Sequence, residues 1–261
     1  MSVLVKVRYV DPKSFQLREL SMSVKSGVSV GEVKNLVITK LSSDLLRNSR
    51  LKVFIDGRLA SNEDMVRDDS RVLVIIERDL SDLLNEFIND LEISKYLIKA
   101  CYVDSLNKVL NDIDKLQSEL CITQVLPTEL IISKYHILLA SYYVFKAFRE
   151  GSNISRKKHL EFLLYLLGDR QLSSVIKKLG SLRREGIDYV IINICKGPDE
   201  GTSELLSKYC VSYVNELSEL IESTTYDLKL LNTVFGVSAS SIEELRTMVV
   251  LRTIELYLRK H

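Results

Sequence analysis

From His159 to Gly180 the chain reads HLEFLLYLLGDRQLSSVIKKLG, two short amphipathic helices broken by the turn Gly168-Asp169-Arg170-Gln171. Gly168 suits the left-handed residue that ends a helix, and the Asp169 carboxylate can accept hydrogen bonds from the first amides of the next helix. Arg170 and Gln171 then stand at that helix's positive end. A guanidinium and an amide held on such a corner suit binding to phosphate or to a partner's backbone carbonyls.

Outward from this corner, the second part of the chain alternates strand and helix. The pattern predicts a strand over 96–103, a helix over 105–120 and a short strand over 121–125. Three helices ending near Gly151, Gly168 and Gly180 precede an apolar strand over 189–195, and helices follow it. A capping box of Ser240 with Glu243 is expected to open the last one, with Leu245, Met248, Val249, Arg252 and Ile254 along it.

Residues 1–78 read as a domain of their own. Val3, Val5, Val7 and Tyr9 alternate with polar residues, and Leu20, Met22 and Val24 do the same after a turn at Asp11-Pro12, which predicts a hairpin. Ser29 and Glu32 form a capping box for a helix whose apolar stripe is Val33, Leu36, Val37 and Leu41. Leu51, Val53 and Ile55 lead into Asp56-Gly57, a tight-turn signal, and Val72, Val74 and Ile76 close a ββαββ unit. This order, with the segment Phe54-x-Asp56-Gly57-Arg58-Leu59, resembles a ubiquitin-type β-grasp domain. Because the chain continues past Arg78-Asp79-Leu80, a carrier role through a free terminus is not expected, and a docking module is. Leu80, Leu83, Leu84, Phe87, Ile88 and Leu91 recur at helical spacing, a connecting helix over 79–92. The expected fold class is α+β: an N-terminal ubiquitin-like β-grasp followed by a helix-rich α/β domain over 93–261.

With 36 basic against 35 acidic residues, the chain has no net charge suited to indiscriminate polyanion binding. The charges are segregated instead. Between 152 and 186, eight Lys and Arg face three acids, whereas between 197 and 245 only Lys208 and Lys229 oppose nine acids. That asymmetry suits one face for a polyanion and another for a basic partner, beside the plainer reading of solvated helix faces. Cys101, Cys121, Cys195 and Cys210 form no C-x-x-C pair and adjoin apolar runs, so reduced, buried thiols are expected. Met1 leads straight into an alternating strand and no apolar run reaches a membrane span, so a cytoplasmic protein is expected.

No residue pattern here proposes catalysis or a cofactor. The loop Lys196-Gly197-Pro198-Asp199-Glu200-Gly201-Thr202 lacks the phosphate-loop order and reads as a surface turn. His136, His159 and His261 are dispersed, which argues against a metal site, and His136 in its apolar helix reads as a packed core residue. Tyr135, Tyr142, Tyr143 and Tyr165 are available for base stacking, although their helical spacing points first to core packing. Arg156-Lys157-Lys158 opens a helix against its dipole, which favours a functional reason for the run.

His136-Ile137-Leu138-Leu139-Ala140, Asn153-Ile154, Glu161-Phe162-Leu163 and Gly168-x-Arg170-Gln171-Leu172 resemble, in this order, the kinase-binding small subunit of the KEOPS tRNA-modification complex. The resemblance runs from Ile93 to His261. It implies a non-catalytic subunit in threonylcarbamoyl-adenosine formation, docked on the complex's atypical kinase-ATPase and holding the 3′ CCA end of tRNA. By residue match Gly168, Arg170 and Gln171 carry the family's corner, and Asn153 and Ile154 its preceding turn. The expected partner contacts are therefore Asn153, Ile154 and Gly168. The expected RNA contacts are Arg170 and Gln171 with the neighbouring basic residues Arg156, Lys157, Lys158, Lys177, Lys178 and Arg183. The competing expectation is an adaptor that binds only proteins.

Overall fold

Strands β1 (Ser2–Val10) and β2 (Leu17–Lys25) pair antiparallel, and β1 pairs parallel with β5 (Val72–Arg78). The computed structural model describes residues 2–10, 17–41, 46, 49–56, 58–78, 80–92, 96–183, 186–198 and 206–258. Strand β3 (Ser49–Ile55) lies on the other side of β5 and carries the two-residue β4 (Arg58–Leu59) at the edge. The sheet order is β2-β1-β5-β3-β4. Val3, Val5, Val7, Met22, Val24, Val53, Val72, Val74 and Ile76 share one buried face, as the alternation requires.

Helix α1 (Val30–Lys40) covers that face with Val33 and Val37. Its start is the expected capping box: Ser29 Oγ accepts from the Glu32 amide at 3.3 Å, and Glu32 Oε2 accepts from the Ser29 amide at 2.7 Å. Leu36, expected in the stripe, is 41 % exposed, because it stands about 100° around the helix from Val37, at the edge of the face set by Val30, Val33 and Val37. The turn at Asp11-Pro12, and Gly57 of Asp56-Gly57, lie outside the described residues, as do the side chains of Leu80 and Leu83.

Helix α2 (Leu80–Asp90) precedes a second sheet built of β6 (Tyr96–Val103), β7 (Cys121–Pro127), β8 (Tyr189–Lys196) and β9 (Cys210–Val214). It is antiparallel throughout, in the order β7-β8-β6-β9. Every residue of β7 is buried, the polar Thr123 and Gln124 included, so the strand has no exposed face to give it an alternating pattern. Helix α3 (Leu106–Asp112) follows β6, and α4 (Lys134–Glu150), α5 (Lys158–Leu167) and α6 (Leu172–Ser181) connect β7 to β8. After β9 come α7 (Leu217–Ser223), α8 (Leu228–Phe235) and α9 (Ile242–Leu258).

By backbone contacts the chain divides into one compact unit of Met1–Glu86 with Ser238–Met248, and another of Phe87–Val237 with Val249–His261. The expected boundaries at 78, 92 and 93 differ from this in two ways. The division falls inside α2, and an eleven-residue segment near the C-terminus belongs with the first unit.

Four further expectations are corrected. The helix expected to run to Leu120 stops at Asp112 and gives way to a 3-10 turn over Ile113–Leu116. The Gln117 side chain then takes over the backbone, donating to the Ile113 and Thr123 carbonyls at 2.9 and 2.8 Å. Strand β9 stands where only helices were expected. The last helix is capped one residue later and without the expected box: Ser241 Oγ accepts from the Glu244 amide, while the Glu244 carboxylate accepts from the amide of Ser240. Finally, the cysteines are not free thiols. Cys121 pairs with Cys195, its direct neighbour across β7 and β8, and Cys101 pairs with Cys210 across β6 and β9. Strand register creates both juxtapositions, and no sequence spacing announces it.

Candidate RNA and partner interface

The corner between α5 and α6 is built from inside. Gly168 ends α5 with φ +58°, and the Asp169 amide donates back to the Leu164 carbonyl at 3.0 Å. A Cβ on Gly168 would stand 2.8 Å from Arg252 Cβ on α9. The Arg252 guanidinium donates to the Gly168 carbonyl at 3.2 Å and to the Gly236 carbonyl at 2.6 Å, so one cation closes the C-termini of α5 and α8 together. Gly168, expected as a partner contact, is thus required by the packing of its own unit. Gly168→Ala combines a left-handed penalty of about 1–2 kcal/mol with an overpacking penalty of about 1–3 kcal/mol. A loss of roughly 2–5 kcal/mol in urea denaturation is the expected result; an unchanged midpoint would show that Arg252 yields freely.

Asp169 organises the start of α6. Its Oδ1 accepts from the Gln171 amide at 3.0 Å, and its Oδ2 accepts from Ser174 Oγ at 2.7 Å and Lys178 Nζ at 2.9 Å. Partial burial works against ionisation, but the hydrogen bonds from Lys178, Gln171 and Ser174 outweigh it and hold the carboxyl at about 2. Lys178, in the last turn of α6, is therefore tied back to Asp169, which precedes the helix. Arg170, Gln171 and Lys177 are exposed beside it.

The preceding turn is a second knot. Glu161, fully buried on α5, accepts from the amides of Ile154 and Ser155 at 3.0 and 2.6 Å through one oxygen, Oε2. The Asn153 side chain donates to the Ser155 carbonyl at 2.8 Å. Asn153 is thus occupied within the turn, while the Ile154 side chain is 41 % exposed. The residues quoted for the family resemblance therefore form two internal hydrogen-bonded knots that leave Ile154, Arg170 and Gln171 facing outward.

The basic residues divide in the same way. Arg156 and Arg183 are exposed. Lys157 is exposed and paired with Asp114 at 2.6 Å. Lys158 donates to the Ser118 and Glu119 carbonyls at 3.2 and 2.6 Å, half-buried, and burial with nearby Lys196 lowers its pKa. Lys158 and Lys178 are thus engaged by the protein's own oxygens. Arg184 and most of the loop over 196–202 lie outside the described residues.

Among the tyrosines considered for base stacking, Tyr142, Tyr143 and Tyr165 are fully buried. Tyr143 stacks on Tyr165 and Tyr257 at centroid distances of 5.7 and 4.5 Å. They pack the core, as their helical spacing suggested. His136 is buried with Nε2 3.2 Å from Thr253 Oγ1, and burial brings its pKa down to about 3, so the ring is neutral. Among the described residues no three His, Cys, Asp or Glu side chains are grouped to hold a metal ion. Sequence reasoning missed the clamp made by Arg252, which reads as an ordinary position in the stripe of α9. No protein-family model and no curated protein matches this chain.

Proposed function

We propose that this chain is a non-catalytic, tRNA-binding subunit of the KEOPS type. In this reading the second unit docks on the complex's atypical kinase-ATPase and helps hold the tRNA 3′ CCA end during threonylcarbamoyl-adenosine formation. The carrying observation is the corner after Gly168, where Arg170 and Gln171 stand exposed between the left-handed residue that ends α5 and the start of α6, with Asp169 Oδ1 accepting from the Gln171 amide at 3.0 Å. The first unit is a ubiquitin-like docking module in the same reading. Its support is the strand order β2-β1-β5-β3-β4, with β1 and β5 parallel and α1 over one face. No helix among the described residues is long and apolar enough to cross a membrane. The two disulfides suit an oxidising compartment, and the cytoplasmic location of this reading requires a cytosol that tolerates them, as in hyperthermophiles.

One observation favours the adaptor without RNA: Lys158 and Lys178 spend their charge on the protein itself. A gel-shift titration separates the two. The expected result is tRNA binding that weakens with salt by about 0.7 logarithmic units per contacted phosphate of a single-stranded end. The triple variant Arg156→Glu, Arg170→Glu, Lys177→Glu is expected to bind at least tenfold more weakly, and tRNA lacking its CCA end likewise. Equal affinity in all arms would leave the protein-only adaptor.

A further inference from the structure

The sheet of the second unit has two edges, and the chain treats them differently. Strand β7 forms one edge and is buried along its whole length. Strand β9 forms the other, and among the described residues no strand lies on its far side. An open edge presents unpaired N–H and C=O groups, and proteins commonly guard it with charge or proline. The edges of the first unit follow that practice: β2 exposes Glu19 and Lys25, and β4 exposes Arg58. Strand β9 reads Cys210-Val211-Ser212-Tyr213-Val214, without charge or proline, and Val211 and Tyr213 are 67 % and 57 % exposed.

Two features prepare this edge for pairing. The Cys101–Cys210 disulfide fastens its first residue to β6, so little ordering of the strand is left to be done on association. Tyr102 pairs with Ser212 and Val103 with Cys210, so Val211 is the extra residue of a bulge and has no partner in the ladder with β6. A bulge and a short strand are themselves guards of an edge, which sets any pairing here in the weak range.

Symmetry and charge decide the occupant. Two copies of Cys210–Val214 overlap along their full length in one antiparallel register, with Ser212 facing Ser212 of the other copy. Val211 then faces Tyr213, Cys210 faces Val214, and the two-fold axis repeats each contact. Lys208 and Glu216 stand equally far on either side of Ser212, so at both ends the Lys208 of one copy lies toward the Glu216 of the other. Both are exposed, and the contact of Glu216 with Lys134, at 3.8 Å, leaves its side chain 62 % exposed. Over 206–216 these are the sole charged residues, so the register opposes no like charges. A slip by two residues shortens the overlap and carries Lys208 past Glu216. We propose that β9 is a dimerisation edge: two copies join β9 to β9 about a two-fold axis at Ser212, and their four-stranded sheets become one continuous antiparallel sheet. The proposal is independent of the RNA reading, whose corner lies between α5 and α6.

Sedimentation equilibrium of the full chain, with both disulfides intact, tests this. A monomer–dimer equilibrium is expected with a Kd on the order of 100 µM, in keeping with a strand pair smaller than a standard interface. Ser212→Lys sets two ammonium groups face to face across the two-fold axis and should leave a monomer. Its melting curve should be unchanged, because Ser212 is exposed. Lys208→Glu should weaken the dimer about tenfold, and adding Glu216→Lys to it should restore the dimer, a rescue that damage to the fold does not imitate. Amide exchange over 210–214 should slow as protein concentration rises. A chain that stays monomeric up to millimolar concentration, a dimer indifferent to Ser212→Lys, or a charge swap without rescue would overturn the proposal, and the first of these would leave the edge to an unrelated strand.

Discussion

Removing the Cys121–Cys195 disulfide is expected to destabilise the second unit by about 4 kcal/mol, on the loop-closure account of cross-links. The bond closes a sequence separation of 74 residues, and its fellow, Cys101–Cys210, closes 109, so each restricts the unfolded chain strongly. For a unit of this size, a change of that magnitude lowers the thermal midpoint by roughly 10–15 °C. The double variant Cys121→Ala, Cys195→Ala avoids leaving one thiol unpaired in a buried strand, where both side chains sit. The two bonds also act on different places. Cys121–Cys195 lies between β7 and the internal strand β8, whereas Cys101–Cys210 ties the edge strand β9 to β6. Calorimetry with and without reductant, and amide exchange read on β9, separate the two contributions. Complete reduction, verified by alkylation and mass, with no shift of the midpoint would refute the account.

Those bonds mark where the sequence stops being legible. Strands β1 and β2 and helix α1 could be read because each buries one face, so the period of Val3, Val5 and Val7, or the spacing of Val33 and Val37, records its environment directly. Ser29 with Glu32 and Gly168 were legible for a related reason: a cap is a local event, complete within a few residues. What failed is non-local. Cys121 meets Cys195, and Lys158 meets the carbonyls of Ser118 and Glu119, only through the pairing of elements some 40 to 74 residues apart. Lysines in a run look alike until the fold supplies or withholds an oxygen. Strand β9 failed differently. Its Val211 and Tyr213 are more than half exposed, so the short segment Cys210–Val214 carries no burial pattern by which a strand is recognised. In the candidate site the corner itself was legible, but not the division of its residues between those that build it and those that face outward.

Glu161→Ala is expected to cost about 3 kcal/mol, and this substitution tests that division most directly. The buried carboxylate accepts two amides from the Ile154-Ser155 turn through a single oxygen. Hydrogen bonds to a charged group contribute about 1.5–3 kcal/mol each, and a buried donor left unpaired is costlier than the bond was favourable. Water can reach the turn, since Ile154 is partly exposed, so the two bonds do not add in full. Glu161→Gln keeps the volume and one accepting oxygen, and should lose roughly half as much. The opposite sign is physically available: where a buried ion contributes less than its desolvation removes, its replacement is neutral or stabilising. Urea denaturation of the two variants decides between these, and amide exchange at Ile154 and Ser155 should rise in both if the carboxylate holds the turn. Ile154→Ala supplies the contrast. Its side chain faces outward, so stability should change by less than about 0.5 kcal/mol, while, on the proposed docking, capture of a kinase-ATPase subunit should fall. A stable Glu161→Ala protein with protected amides would mean that the turn is held by its own conformation, and that Glu161 serves something other than the architecture of the corner.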